Sequence, residues 1–340
     1  MPQPPFIQLT GISKIFNKNI VLEDLNLSVG YGEILGIIGK SGSGKTTLLN
    51  IIIGFLKPDK GSVIFQSRNI HKDEINVDTQ FGFASQEFSF YDKLTVDENL
   101  RYFGSLYKIK DKTLDQRIPE LLKFVDLEDK RNLLASNLST GMKKRLDIAC
   151  SLIHDPKILI LDEPTSDLDT FLRRDIIALL KKINKEKEVT IVLTSHLLDE
   201  LDICNRIAIL NNKQIVATGS SDELKEKCSN NMEIILEIAS GNYGYLQKMY
   251  KSDDRVSKSL VKDGKFILYT SKSETILREL LSEINSHGDK LLDVDVNKPS
   301  LNEVFEYFVN ASNEKAIVTK KEDKIKKKND KDTGDNKEES

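Results

Sequence analysis

Apolar and polar positions alternate along Val21-Leu22-Glu23-Asp24-Leu25-Asn26-Leu27-Ser28-Val29, and shorter strand-like runs precede it at Phe6–Leu9 and Lys14–Phe16. A period of two predicts strands with one buried face, so the chain opens with an antiparallel β layer that ends in a turn at Gly30–Gly32. The pattern then changes to a continuous apolar run, Glu33-Ile34-Leu35-Gly36-Ile37-Ile38-Gly39, and two further runs follow at Lys157–Leu161 and Val189–Thr194. Unbroken apolar runs of this length fit strands buried on both faces. With helical stretches between them, they predict an α/β, doubly wound parallel-sheet core. Apolar spacing of three and four marks helices at Val96–Ile109, Leu114–Val125 and Ser139–Ile153, which together form a helical insertion at about 87–155. Beyond about Ser229 the order becomes β-α-β-β-α-β, with strands at Met232–Ala239, Val256–Val261, Lys265–Tyr269 and Leu291–Val296 and helices at Tyr243–Tyr250 and Ser273–Ile284. That order predicts a small ferredoxin-like α+β domain, followed by a helix at Leu301–Val309.

The 340 residues therefore divide into a larger domain at 1–228, a small C-terminal domain at 229–312 and a tail at 313–340. Residues 314–340 hold 9 Lys and 8 Asp or Glu with almost no apolar residue after Val318, so the tail is expected to be disordered. The formal net charge of -3 gives no basic excess for a nucleic-acid backbone, and no nucleic-acid partner is expected. Cys150, Cys204 and Cys228 are an odd, widely spaced set that suits neither disulfides nor zinc, which points to a reducing compartment. The start, Met1-Pro2-Gln3-Pro4-Pro5-Phe6, has no basic and apolar pattern of a signal peptide, and the apolar window Leu48–Leu56 is far short of a membrane span. The expectation is a cytoplasmic chain whose membrane association, if any, is peripheral.

Gly39-Lys40-Ser41-Gly42-Ser43-Gly44-Lys45-Thr46 matches the phosphate-binding loop pattern between a predicted strand and a predicted helix that continues through Thr47. Glycines let successive backbone N–H groups turn inward around phosphate oxygens, and the helix N-terminus adds its positive dipole end. Lys45 supplies a charge for the β- and γ-phosphates of a nucleotide, and the Thr46 hydroxyl is a ligand for Mg²⁺. Ile158-Leu159-Ile160-Leu161-Asp162-Glu163-Pro164 places two carboxylates at the C-terminal edge of a buried strand, where open α/β sheets bind ligands. Asp162 suits the Mg²⁺ shell, and Glu163 suits orienting or deprotonating an attacking water.

Taken together, these motifs resemble the ATP-binding subunits of ABC transporters, over about residues 6–225 and in that family's order. The resemblance implies that Phe16 stacks on adenine, and that Gln86, in Phe83-Ala84-Ser85-Gln86-Glu87, contacts Mg²⁺ or the attacking water. Leu138-Ser139-Thr140-Gly141-Met142 resembles the signature motif Leu-Ser-Gly-Gly-Gln, departing from it at Thr140 and Met142. In the family Ser139 and Gly141 would serve the nucleotide of a partner ATPase across a dimer. Read locally, Ser139 is a helix N-cap. Thr165-Ser166-Asp167-Leu168-Asp169 resembles the D-loop, and His196 the histidine that meets the γ-phosphate. Pro299-Ser300-Leu301-Asn302-Glu303-Val304-Phe305 resembles a short motif of drug-resistance and polysaccharide exporters, while also reading as an ordinary helix start.

The resemblance implies an ATPase that dimerises with itself or a related chain, drives a separate integral-membrane permease, most simply for export, and sits on the inner face of the cell membrane. The rival is a soluble ABC ATPase with a regulatory, non-transport role. A translation-type protein would carry two phosphate loops, and a DNA-repair type would insert a long coiled coil where only 94 positions separate Lys45 from Ser139. The GTPase pattern Asn-Lys-x-Asp is not met at Asn184-Lys185-Glu186-Lys187.

Overall fold

The structure, a computed structural model, describes residues 4–72, 79–228 and 232–314. Its contacts divide into two compact units, Ser221–Ala311 and the remainder on either side of it. The tail expected at 313–340 lies, past residue 314, outside the described residues.

In the first unit, β1 (Ile7–Phe16) and β2 (Asn19–Val29) pair antiparallel and are joined by Asn17 and Lys18, both at positive φ (47° and 70°). A two-residue turn of that kind matches the right-handed twist of its strands. The two short strands expected at 6–9 and 14–16 are one strand. Gly11, at φ 61°, takes up a register shift between Leu9 and Ile12, so the pairing resumes after the bulge instead of ending there. With β4 (Lys60–Phe65) and β5 (Arg68–Asn69) the layer has the order β2-β1-β4-β5.

The second sheet is larger than the sequence pattern predicts. Its order is β10-β9-β3-β8-β7-β6, in which β3 (Ile34–Ile38), β7 (Ile158–Leu161) and β8 (Thr190–Ser195) are the three continuous apolar runs. Two further parallel strands, β6 (Phe81–Ala84) and β9 (Arg206–Asn211), flank them, and β10 (Gln214–Gly219) closes one edge antiparallel. β6 carries little sequence signal because it is four residues long and contains Gly82, which packs so tightly on the Ser151 carbonyl that no Cβ fits. The apolar run of β9 reads equally well as a buried helix segment.

Between the two sheets lies one apolar core, into which α1 (Lys45–Ile52) puts Leu48, Leu49, Ile51 and Ile52 against Ile7 and Leu27 of one layer and Leu35, Ile37 and Val192 of the other. The insertion holds α2 (Val96–Leu106), α3 (Asp111–Phe124) and α4 (Thr140–Leu152). α2 is started by a reciprocal cap in which Thr95 and Glu98 satisfy each other's backbone N–H groups. α5 (Thr170–Lys187) follows β7 and is capped by Asp169, whose Oδ1 accepts the N–H groups of Phe171 and Leu172.

The second unit contains α6 (Ser221–Lys227), β11 (Met232–Ile238), α7 (Gly244–Tyr250), β12 (Val256–Lys262), β13 (Lys265–Thr270), α8 (Ser273–Ser286) and β14 (Leu291–Asn297). Its sheet runs β12-β13-β11-β14, antiparallel throughout, the arrangement expected of β-α-β-β-α-β. Ile234, Leu236, Ile238, Phe266 and Leu268 meet Leu246 and Tyr250 of α7 and Ile276, Leu280 and Ile284 of α8. The stretch 301–314 is helical, and Ser300 and Glu303 form a reciprocal cap at its start. Among the described residues no helix is long and apolar enough to cross a membrane.

Candidate active site

β3 delivers the chain into the phosphate-binding loop. A Cβ at Gly39 would stand 2.6 Å from the Leu210 carbonyl oxygen and from Ser43 Oγ, and Gly42 and Gly44 turn at φ 74° and 104°. No L side chain suits this path. Gly44 is the N-cap of α1 and no side chain caps it, so the first-turn N–H groups of Lys45, Thr46 and Thr47 are left to a ligand. Ser43 Oγ is buried without a hydrogen-bond partner, which in a loop of this shape fits a phosphate oxygen. Lys40 and Ser41 lie on the exposed outer turn.

Lys45 is only 5% exposed, and its ammonium donates to the Gly39 carbonyl at 3.0 Å and pairs with Glu163 Oε1 at 3.0 Å. Thr46 Oγ1 donates to Asp162 Oδ2 at 2.6 Å. The other oxygen of Asp162 accepts Thr194 Oγ1 at 2.6 Å, and that hydroxyl in turn accepts the Glu163 N–H at 2.9 Å. Thr194, near the end of β8, thus pins the end of β7 and aims both carboxylates. Nothing in the sequence beyond a β-branched strand residue marks it. Glu163 itself has φ 47°, an unusual conformation for a residue with a side chain, of the kind that clusters at functional sites. Its Oε2 lies 3.0 Å from His196 Nδ1. Burial raises the pKa of Glu163, but hydrogen bonds and charge from Lys45 and His196 outweigh it and hold the carboxyl below its ordinary range.

Asp162 and Thr46 offer hard oxygens, the donor set Mg²⁺ prefers; it binds through one or two carboxylates plus phosphate oxygens and needs no all-protein cage. Gln86 is exposed two residues past β6, and because β6 pairs parallel with β7 it leaves the sheet beside Asp162, whose N–H bonds the Ala84 carbonyl at 2.9 Å. Phe16, 43% exposed at the end of β1, keeps ring surface open beside Lys14, whose ammonium is 5.3 Å from the ring centroid. Ser139 is exposed and caps α4, accepting the Met142 N–H at 3.4 Å. A Cβ on Gly141 would meet Leu172 at 2.8 Å. Among the described residues, no hydrogen bond or ion pair of the Lys45, Asp162 and Glu163 cluster reaches Ser139 or Gly141.

A buried pair that the sequence does not reveal ties α4 to the segment that carries Gln86. Asp147, 1% exposed, accepts the Ser89 N–H at 3.0 Å, while Lys144 donates to the Ser85 carbonyl at 3.4 Å and lies 3.7 Å from Asp147. Burial pushes the Asp147 carboxyl up from 3.8 to about 6 despite Lys144 and the Ser89 N–H, and burial also lowers Lys144. A carboxyl raised on folding gives stability that is complete below pH 3.8 and disappears as the pH climbs to about 6. Denaturant melts across that window should show a loss on the order of 2–3 kcal/mol from this group, absent in Asp147→Asn. A wild-type slope equal to the variant's would contradict the assignment.

Residues 22–166 match the sequence profile of the ABC transporter family. The linearmycin resistance ATP-binding protein of Bacillus subtilis (strain 168) is 29% identical over 302 residues, covering 88% of this chain and 96% of that protein. The methionine import ATP-binding protein of Clostridium tetani (strain Massachusetts / E88) is 31% identical over 313 residues, covering 87% of this chain and 98% of that protein. Among solved structures, a dimeric ATP-binding cassette in a post-hydrolysis state, bound to ADP and Pi, superposes with a TM-score of 0.57 at 29% identity, covering 63% of this chain and 98% of that one.

Proposed function

This chain belongs to the ABC transporter family, as one of its ATP-binding, ATP-hydrolysing subunits, and from that premise we propose that it works as a head-to-tail dimer driving a separate membrane permease. The observation that carries the hydrolytic reading is the convergence of Lys45, Glu163 and His196 through two contacts of 3.0 Å at the C-terminal edge of β3, β7 and β8. Water attacks the γ-phosphorus in line, the bond to the β–γ bridging oxygen breaks, and ADP and phosphate leave. Glu163, kept ionised by Lys45 and His196, accepts a hydrogen bond from that water and orients it. Lys45 and His196 offset the γ-phosphate charge, and the N–H groups of the loop hold the phosphates. Thr46, Asp162 and Gln86 would hold Mg²⁺, which neutralises phosphate charge when bound. Phe16 offers its ring to the adenine.

Dimerisation is supported by the exposure of Ser139 at the N-terminus of α4 and by the lack, among the described residues, of any hydrogen bond or ion pair between it and the cluster, which leaves its hydroxyl to a second chain. Mixing a Ser139→Arg chain with a Lys45→Ala chain tests this. Each is expected to be inactive alone, and the mixture should recover partial activity, since one of the two shared sites is then intact. No recovery would mean a site built within one chain. The proposal places the dimer against the inner face of the membrane through its permease, and copurification of a multispanning protein with this chain is the expected result. The relatives include both a resistance and an import protein; export is proposed from the resemblance of Pro299–Phe305 alone, and ATP-dependent uptake into inside-out vesicles is its test.

A further inference from the structure

One buried carboxylate outside the Lys45, Asp162 and Glu163 cluster touches both of the loops that carry Glu163 and His196. Glu200 is 2% exposed. Its Oε1 accepts the hydroxyl of Thr165, two residues after Glu163, and its Oε2 accepts the hydroxyl of Ser195, the residue before His196, at 2.6 Å. Arg173 of α5 supplies the countercharge, with Nε 3.4 Å from Oε1, and the same guanidinium donates to the Leu168 carbonyl at 3.2 Å. The segment bearing Glu200, Leu198–Ile203, is seated on the sheet. Leu201 and Cys204 fill the space over Gly36 of β3 so closely that a Cβ there would lie 2.6 and 2.8 Å from them.

A buried carboxylate is costly to desolvate and is retained where its hydrogen bonds are all made. Glu200 accepts two hydroxyl hydrogen bonds and has a guanidinium beside it as countercharge, and the three groups belong to different elements: the loop after β7, the end of β8, and α5. We propose that Glu200 is a positioning residue that sets the separation between Glu163 and His196, so that it governs the rate of hydrolysis and not the affinity for ATP. The inference rests on the roles given above to Glu163 and His196. The phosphate loop makes no contact with this node among the described hydrogen bonds, whereas small displacements of a base relative to its partner are expensive in rate.

The test compares ATP affinity by calorimetry with turnover per bound nucleotide in Glu200→Gln, Thr165→Val and Ser195→Ala. In each, turnover should fall about ten-fold while affinity and binding stoichiometry stay within about two-fold of wild type. Because the three act through one node, Glu200→Gln combined with Thr165→Val should be no slower than the worse single variant. A partly unfolded preparation would instead lose stoichiometry. If Glu200→Gln does not fold, Thr165→Val still decides the matter, since it removes only one donor to Glu200, whereas Ser195→Ala also removes the oxygen that accepts the Leu197 N–H at 2.8 Å. Wild-type turnover in the folded variants, a parallel loss of affinity, or full additivity would overturn the proposal. Glu163→Gln, measured alongside, separates the two levels: if it stays active the role given to Glu163 fails, and if it is inactive while the node variants turn over normally, only this inference fails.

Discussion

Glu163→Gln should bind ATP as the wild type does and turn it over roughly 10²–10⁴ times more slowly, the usual contribution of a positioned base. The substitution keeps the shape of the side chain and leaves the Glu163 N–H on Thr194, so the end of β7 stays where it is. What it removes is the charge that faces Lys45 and His196, each 3.0 Å away. An amide cannot take a proton from water, and it offers only one oxygen where the carboxylate offers two. Because the carboxyl is held below its ordinary pKa, its own titration should not limit the wild-type rate near neutral pH; the acid limb due to Glu163 belongs below about 4.5, where Lys45 and His196 no longer keep it ionised. Single-turnover assays with radiolabelled ATP, read beside equilibrium binding, check both halves. Near-normal turnover would remove Glu163 from the mechanism.

For Lys45→Ala the larger effect is expected on binding. The ammonium is buried and aimed at the inside of the loop, where it bonds the Gly39 carbonyl, so its removal costs the phosphates their nearest full charge and the loop one of its internal ties. It also strips Glu163 of the stronger of its two partners and leaves a half-buried carboxylate facing the phosphate site, which repels an anionic ligand. ATP affinity by calorimetry is expected to fall below detection at millimolar nucleotide, with the melting temperature in the absence of ATP changed much less. An affinity equal to wild type would contradict the placement of Lys45 on the phosphates.

Two signals make the site legible in the sequence. One is Gly39–Thr46, where the backbone path itself needs glycine: positive φ at Gly42 and Gly44 and no room for a Cβ at Gly39. The other is the apolar run that ends in Asp162 and Glu163, since a strand buried on both faces can place carboxylates only at its end. The residues that are not legible act through neighbours. Thr194 and Glu200 are a strand threonine and one acidic residue among many; their roles come from which loops they lie between, and that is a property of strand order. Lys144 and Asp147, three apart on α4, look like a surface ion pair until the helix is seen to bury them against residues 85–89.

The chain's own pattern of polar and apolar residues determined the type of each long element, the α/β core, the β-α-β-β-α-β order of the second unit and the phosphate loop, because each of these is set by local geometry: a period of two, a period near 3.6, or a backbone angle only glycine adopts. The tertiary structure alone decided that five strands and not three run parallel, that β6 lies next to β7 and so brings the segment leading to Gln86 alongside Asp162, and that no hydrogen bond or ion pair among the described residues ties Ser139 to the cluster. Those are facts of adjacency between segments far apart in sequence. They depend on which apolar faces pack together in the one core, and apolar burial is non-directional, so no single segment carries the information.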